Sequence, residues 1–255
     1  MFSKVNDLRR QPIPSTAALR AARQGARAWP IDFAGPAQGE PLVDIADYGV
    51  SARNYYAHER NPPYWSKAPG AIDCVLVRRG VAERLAHIDE ELKKQGFALH
   101  LHDGWRPIEV QRHFHDVWLP AQLRTRRPDL KGEALAREVE RYWAAPTLDA
   151  SSPAPHATGA AVDLTLTFVD GEPLWFGSLF DDASPLAHLD RFEGAGEDFA
   201  FSDEEARANR RALFWIMSEA GFAPHPDEWW HYSYGDQTWA KVKGVAAAAY
   251  GLVAP

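Results

Sequence analysis

Two stretches of strict alternation mark strands. Over residues 97–102, Phe97, Leu99 and Leu101 fall on one side and Ala98, His100 and His102 on the other, the pattern of a half-buried strand. Over 160–168, Val162, Leu164, Leu166 and Phe168 alternate with Ala161, Asp163, Thr165 and Thr167, and Asp170-Gly171 follows as a hairpin turn signal. Helical periodicity takes over elsewhere. Val81, Leu85, Ile88 and Leu92 share one stripe within 81–95, and Gly96 stands where a left-handed C-terminal residue belongs. Pro107 opens a second helix that runs to about residue 126 and stops before Pro128, and 132–143 reads as a third. Ser202 and Glu205 form a capping box for a fourth, through Leu213, Phe214 and Met217 to Gly221.

The remaining stretches lack a clear period. Residues 1–40 form an N-terminal extension with one Ala/Arg-rich helix at 15–24, expected to pack loosely on the body. The aromatic stretch holding Tyr55, Tyr56, Tyr64 and Trp65 is assigned to neither helix nor strand. A long loop covers 176–198, of the length that commonly carries function. Residues 222–234 read as a second, aromatic strand, and the tail from 240 onward as a C-terminal helix. The sum is a single α+β domain over 41–255, a small and mostly antiparallel sheet with helices packed on it.

Composition narrows the function. A net charge of −7 argues against nucleic acid as the main partner. The one cysteine, Cys74, lies in the apolar run IDCVLV and reads as a buried core thiol, so neither an internal disulfide nor cysteine ligation of a metal is expected. No apolar run reaches membrane-spanning length and no signal-type h-region opens the chain, which places the protein in the cytoplasm without a membrane anchor.

The candidate chemistry lies in three places. Ser152–Asp170 turns a proline-rich loop into a strand and carries His156 and Asp163 seven positions apart. Glu228 and His231 sit in the aromatic run EWWHY. His156, Asp163 and His231 together offer the nitrogens and hard oxygen that zinc accepts, with a fourth position left for water. Taken singly, Asp163 also reads as a satisfied polar residue at a sheet edge, and His231 as a histidine serving a backbone group. In an extended strand, positions 228 and 231 point to opposite faces, so a turn or bulge is expected between them. Arg106, just outside a helix start, calls for an anion beside it, either a developing charge or a carboxylate such as Asp103. His100 and His102 share a strand face as an HxH pair without a supporting carboxylate. The HExxH, GxSxG and phosphate-loop patterns are absent.

HATGAAVD, DGWRP and EWWHY, in this order, resemble the VanX-type D-alanyl-D-alanine dipeptidases, zinc peptidases whose fold also occurs in DD-carboxypeptidases and the Hedgehog signalling domain. The resemblance runs from about 43 to 233. It implies one zinc ion per chain held by His156, Asp163 and His231, Glu228 as the catalytic base, Arg106 as oxyanion stabiliser, and Asp181 as receptor for the amino group of a small dipeptide. Ala154 departs from the pattern, which has a serine there, and Ser152 is a nearby substitute. Two other activities fit the same scaffold: a murein DD-carboxypeptidase, and a binding protein that keeps zinc without catalysis.

Overall fold

The two alternating stretches become the two longest strands and pair with each other, in a computed structural model that describes residues 3–194 and 199–254. In chain order the strands are β1 (Leu42–Asp44), β2 (Ser51–Ala52), β3 (Leu76–Arg78), β4 (Phe97–Asp103), β5 (Ala161–Phe168), β6 (Ala223–Pro224) and β7 (His231–Ser233). Five of them form the main sheet in the order β2-β4-β5-β7-β6, antiparallel throughout except for the β2–β4 pair. β1 and β3 make a separate antiparallel ribbon. The expected small, mostly antiparallel sheet is therefore the one that forms.

The helices are α1 (Val5–Leu8), α2 (Ala17–Arg23), α3 (Arg79–Lys93), α4 (Ile108–Arg112), α5 (Leu119–Arg126), α6 (Gly132–Tyr142), α7 (Phe201–Glu219) and α8 (Gln237–Lys243). α3 buries the predicted stripe of Val81, Leu85, Ile88 and Leu92 against β4, and α7 sets Leu213, Ile216 and Met217 into the same core. Leu99, Leu101, Val162, Leu164 and Leu166 fill it from the sheet side. Gly96 ends the α3 region at φ +86°. None of the helices among the described residues is long and apolar enough to cross a membrane.

The N-terminal residues are not loosely packed, contrary to the expectation. Val5 and Leu8 are buried against α7, α2 lies on α8, and the Arg9 guanidinium reaches Glu205 at 2.8 Å. Apolar residues three apart on a single helical turn were enough to dock it. The 107–126 helix contains a π segment, His113–Trp118, between α4 and α5. Its wide turn carries Phe114, whose ring sits 4.5 Å from both Tyr64 and Trp143. The capping box at Ser202 does not form: α7 starts at Phe201, and the Ala200 N–H donates to Asp203 Oδ2 at 3.1 Å instead.

The aromatic strand is broken, because Pro224 and Pro226 cannot donate to a ladder; β6 and β7 flank a loop at 225–230. The C-terminal helix lies earlier than expected. Asp236 caps α8 by accepting from Trp239 N–H at 2.8 Å, and Gly244 at φ +69° ends it. The residues beyond run beside the N-terminal segment, with Ala248 bridged to Ile31. Cys74 is half-buried rather than a core residue.

Two buried arginines tie distant segments together. Arg78 donates to Thr158 O (2.8 Å), Glu40 O (2.7 Å) and Gly251 O (3.0 Å). Arg210 of α7 donates to Phe176 O (2.7 Å), His188 O (2.5 Å) and Leu186 O (2.7 Å), which pins the loop expected at 176–198. The last four positions of that loop, 195–198, lie outside the described residues.

Candidate metal centre and cleft

The β5–β7 register sets Asp163 directly opposite His231. On the other side of β5, a register shift between Leu101 and Asp103 brings Asp103 opposite Asp163, so the bulge sits in β4 beside the cluster. His156 arrives on a 3₁₀ turn, Pro155–Thr158, that ends at Gly159 with φ +68°. A Cβ at Gly159 would meet Leu42 Cδ2 at 2.4 Å, and one at Gly104 would meet Leu76 O at 2.4 Å. Both glycines are thus demanded by close approach, and both sit against the histidine. His156 Nδ1 donates to Gly104 O at 2.8 Å, which leaves Nε2 as the lone-pair nitrogen of the neutral ring.

That Nε2 lies 3.1 Å from His231 Nδ1 and 3.4 Å from Asp163 Oδ2, while His231 Nδ1 lies 3.1 Å from Asp163 Oδ1. His156, Asp163 and His231 are 5%, 1% and 5% exposed. Among the described residues they are the group of histidines and carboxylates that could hold a metal ion. Burial alone would raise the Asp163 carboxyl, but His156 and His231 outweigh it and hold it well below its usual range. Burial pushes His231 down to about 4, against the pull of Asp163, so its ring is neutral and ligand-ready at pH 7.

Glu228 reaches the cluster because the chain turns at Trp229–Trp230, as the opposed faces of an extended EWWH required. Trp230 O accepts from Leu164 N–H at 3.0 Å, and Trp229 Nε1 donates to Ser178 Oγ at 2.9 Å, fixing the turn. Glu228 Oε2 then stands 3.6 Å from His231 Nδ1. Burial, and then the charges of Asp163 and Asp181, raise its carboxyl well above the usual value, against Arg23 and Arg106.

Of the two partners weighed for Arg106, the structure shows the carboxylate, and Asp163 joins Asp103 in that role. Its Nε donates to Asp103 Oδ2 at 2.7 Å and its Nη2 to Asp163 Oδ2 at 3.1 Å, while Gln111 Oε1 takes Nη1 at 3.0 Å. The guanidinium stacks 4.4 Å from the Trp143 ring. Burial would lower its pKa, but Tyr56, Asp103, Asp163 and Asp181 together raise it.

Asp181 enters the same cleft from the pinned loop, in a left-handed conformation at φ +58° that Asp tolerates better than most residues. Its Oδ2 accepts from Tyr56 Oη at 2.6 Å and Tyr64 Oη at 2.9 Å. Burial, then the charge of Asp163, pushes its carboxyl up to about 7, against Arg106 and the two tyrosines.

All six predicted site residues line one cavity of about 680 Å³. Ala154 and Ser152 are not among its lining residues; Ala154 borders a separate apolar cavity of about 390 Å³ beside the C-terminal tail. A larger groove of about 890 Å³ lies further along the sheet, lined by His100, His102, Thr165 and Phe180. It lacks the converging charges: His100 Nδ1 is 2.8 Å from Ser51 Oγ, and His102 packs 4.7 Å from the Phe180 ring. Sequence reasoning missed Gln111, Trp143 and Arg23 in the cleft, and Tyr56 and Tyr64, core residues that reach it through Asp181. The one signal for the tyrosines was an aromatic stretch without periodicity.

A family model described as D-ala-D-ala dipeptidase, of the M15 peptidases, matches residues 56–246. A D-alanyl-D-alanine dipeptidase of Synechocystis sp. is 31% identical over 214 residues, covering 79% of this chain and 85% of that one. Another, from Enterococcus faecium, is 33% identical over 158 residues, 62% of this chain and 72% of its own. Among solved structures, the vancomycin resistance D,D-dipeptidase VanXYg, in complex with a D-Ala-D-Ala phosphinate analog, is similar over 86% of this chain and 67% of that one, at 19% identity and a TM-score of 0.32.

Proposed function

Because the chain belongs to the M15 peptidase family of D-Ala-D-Ala dipeptidases, we propose that it is a zinc-dependent dipeptidase acting on D-Ala-D-Ala or a closely related free dipeptide. The observation that carries the reading is the convergence of His156, Asp163 and His231 with the Glu228 carboxyl 3.6 Å away. The donor set fits zinc. The two imidazole nitrogens stand 3.1 Å apart, and each lies within 3.4 Å of an Asp163 oxygen, His156 Nε2 of Oδ2 and His231 Nδ1 of Oδ1, a set of two nitrogens and a hard oxygen of the kind zinc accepts. Gly104 fixes the His156 tautomer that such ligation needs.

The chemistry zinc supplies when bound in such a site is a polarised carbonyl and a bound water of pKa about 7. The remaining work falls to the chain. Glu228, with its affinity for protons raised by burial, takes a proton from water at its carboxylate and hands it to the leaving amine, a contribution of about 10²–10⁴ in rate. Arg106, permanently charged and held by Asp103, presents positive charge where the oxyanion develops. Asp181 receives the substrate ammonium; both tyrosine hydroxyls occupy Oδ2, so Oδ1 is the oxygen offered to it. A requirement for that ammonium selects a free dipeptide over the end of a longer chain.

The test is release of D-alanine from D-Ala-D-Ala and from its N-acetylated form, by the zinc-reconstituted protein and its Glu228→Ala variant. Hydrolysis of the free dipeptide alone, lost in the variant with zinc retained, is expected. No release from either substrate by zinc-loaded protein would sink the reading.

A further inference from the structure

We propose that Arg23, on a segment outside the matched family residues 56–246, is the receptor for the free carboxylate at the C-terminal end of the dipeptide. The inference rests on the dipeptidase reading above and supplies the group that reads the end of the substrate opposite to Asp181.

The end of α2 and the turn after it form one wall of the 680 Å³ cavity, contributing Arg20, Arg23 and Arg27. This wall is anchored. Arg20 Nη2 reaches Asp227 Oδ1 at 2.9 Å, Arg27 Nη2 donates to Ser152 O at 2.8 Å, and the Gln237 amide donates to Arg27 O at 3.0 Å. The other arginines of the cavity are spoken for: Arg106 by Asp103 and Asp163, Arg141 by Asp227 at 3.4 Å, and Arg137 by Glu133 at 3.1 Å. Arg27 also makes no ion pair and leaves its Nε without a partner, but Ser152 O holds its Nη2; among the described residues, Arg23 has neither an ion pair nor a hydrogen bond from its guanidinium, and its Nη1 is buried. An enclosed guanidinium N–H with no acceptor is costly to keep, and its fork geometry matches a carboxylate.

The two charged ends have different surroundings. Asp181 is set among Asp163, Arg106, Tyr56 and Tyr64, whereas the charges acting on Arg23 are Asp236, Glu228 and Asp227. Glu228, Asp181 and Arg23 line the same cavity, and the charges of Asp181 and Arg23 both act on Glu228, so the cavity offers an acceptor for an ammonium and a donor for an anion with Glu228 beside them. A free dipeptide is a zwitterion of that polarity, its two residues spanning at most about 7 Å. A peptide extended or amidated at its C-terminus brings no anion to Arg23.

The experiment compares kcat/KM for D-Ala-D-Ala and for D-Ala-D-Ala amide, in the zinc-loaded wild type and in the Arg23→Gln and Arg23→Lys variants. Melting temperature and zinc content of each serve as the check on folding. The wild type should prefer the free acid. In Arg23→Gln that preference should fall about 100-fold, carried by KM, as expected on losing a buried charged partner. Arg23→Lys, which keeps the charge but not the fork, should recover part of it. An equal loss on acid and amide would overturn the proposal in favour of a purely structural role or an effect on Glu228, and so would no loss on either. Failure of the wild type to release D-alanine from the free dipeptide is a separate result: it removes the dipeptidase reading itself, and this inference with it.

Discussion

Replacing Asp181 by Asn removes a charge while keeping the hydrogen bonds around it. Both tyrosine hydroxyls donate to the single oxygen Oδ2, and an amide carbonyl has two lone pairs with which to accept both. What the substitution deletes is the cost of an ionised carboxylate in a buried site. That carboxyl is shifted from 3.8 to about 7, roughly 3 pH units at about 1.4 kcal/mol each, so ionisation costs the folded state at most about 4 kcal/mol. The sign follows from the folded value lying above the unfolded one. Between the two values the native state binds more protons, and the contribution to stability, intact below pH 4, is lost as pH rises through 7. In zinc-free protein, Asp181→Asn should therefore be more stable than wild type by about 4 kcal/mol at pH 8.5, by about 2 at pH 5, and equal to it below pH 4. Urea unfolding of both proteins in chelator at these pH values measures the gap. In the zinc-loaded enzyme the same variant should raise KM for the free dipeptide, so stability and activity move in opposite directions. A gap that stays flat from pH 5 to 8.5, or an Asn variant less stable at pH 8.5, would refute the assignment of a raised carboxyl.

Two further outcomes are expected. Asp163→Asn removes the charge of a proposed ligand and one of the two carboxylates on Arg106; zinc affinity, measured by calorimetric titration, should weaken by more than about 100-fold, beyond the 10–100-fold typical of outer-shell changes, and an unchanged affinity would exclude Asp163 as a ligand. Arg210→Met strips three carbonyls of the Asp181 loop of their donor, which should cost about 3 kcal/mol in urea unfolding and raise KM as Asp181 loses its fixed position. A variant with unaltered stability would show that the loop is held by its apolar side chains instead.

The parts legible in the sequence were those where one local pattern decides the outcome. β4, β5 and α3 follow from alternation and an apolar stripe within a single element. The turn between Glu228 and His231 followed from geometry alone, since an extended chain cannot aim both side chains at one point. Illegible features depend on partners far away in the chain. Tyr56 and Tyr64 serve an aspartate more than a hundred positions downstream, and nothing in their own neighbourhood announces it. The N-terminal segment looked detachable because its helices are short; its docking comes from buried Val5 and Leu8 and from arginines that find acids on α7 and in the 225–230 loop. The misplaced start of α7 has a local cause. Ser202 and Asp203 are adjacent and both are capping residue types, and Asp203 is the one that reaches back to the Ala200 N–H.

The Arg78 clamp bears on the order in which the molecule is made. One guanidinium holds the carbonyl of Thr158, two residues from His156, together with that of Gly251. During synthesis, a chain that has emerged as far as His231 already owns all three candidate ligands, yet the turn presenting the first of them still lacks its far anchor. A metal captured at that stage would meet a half-tethered histidine. The candidate ligand cage thus depends for its full support on a stretch of chain that contributes no ligand to it.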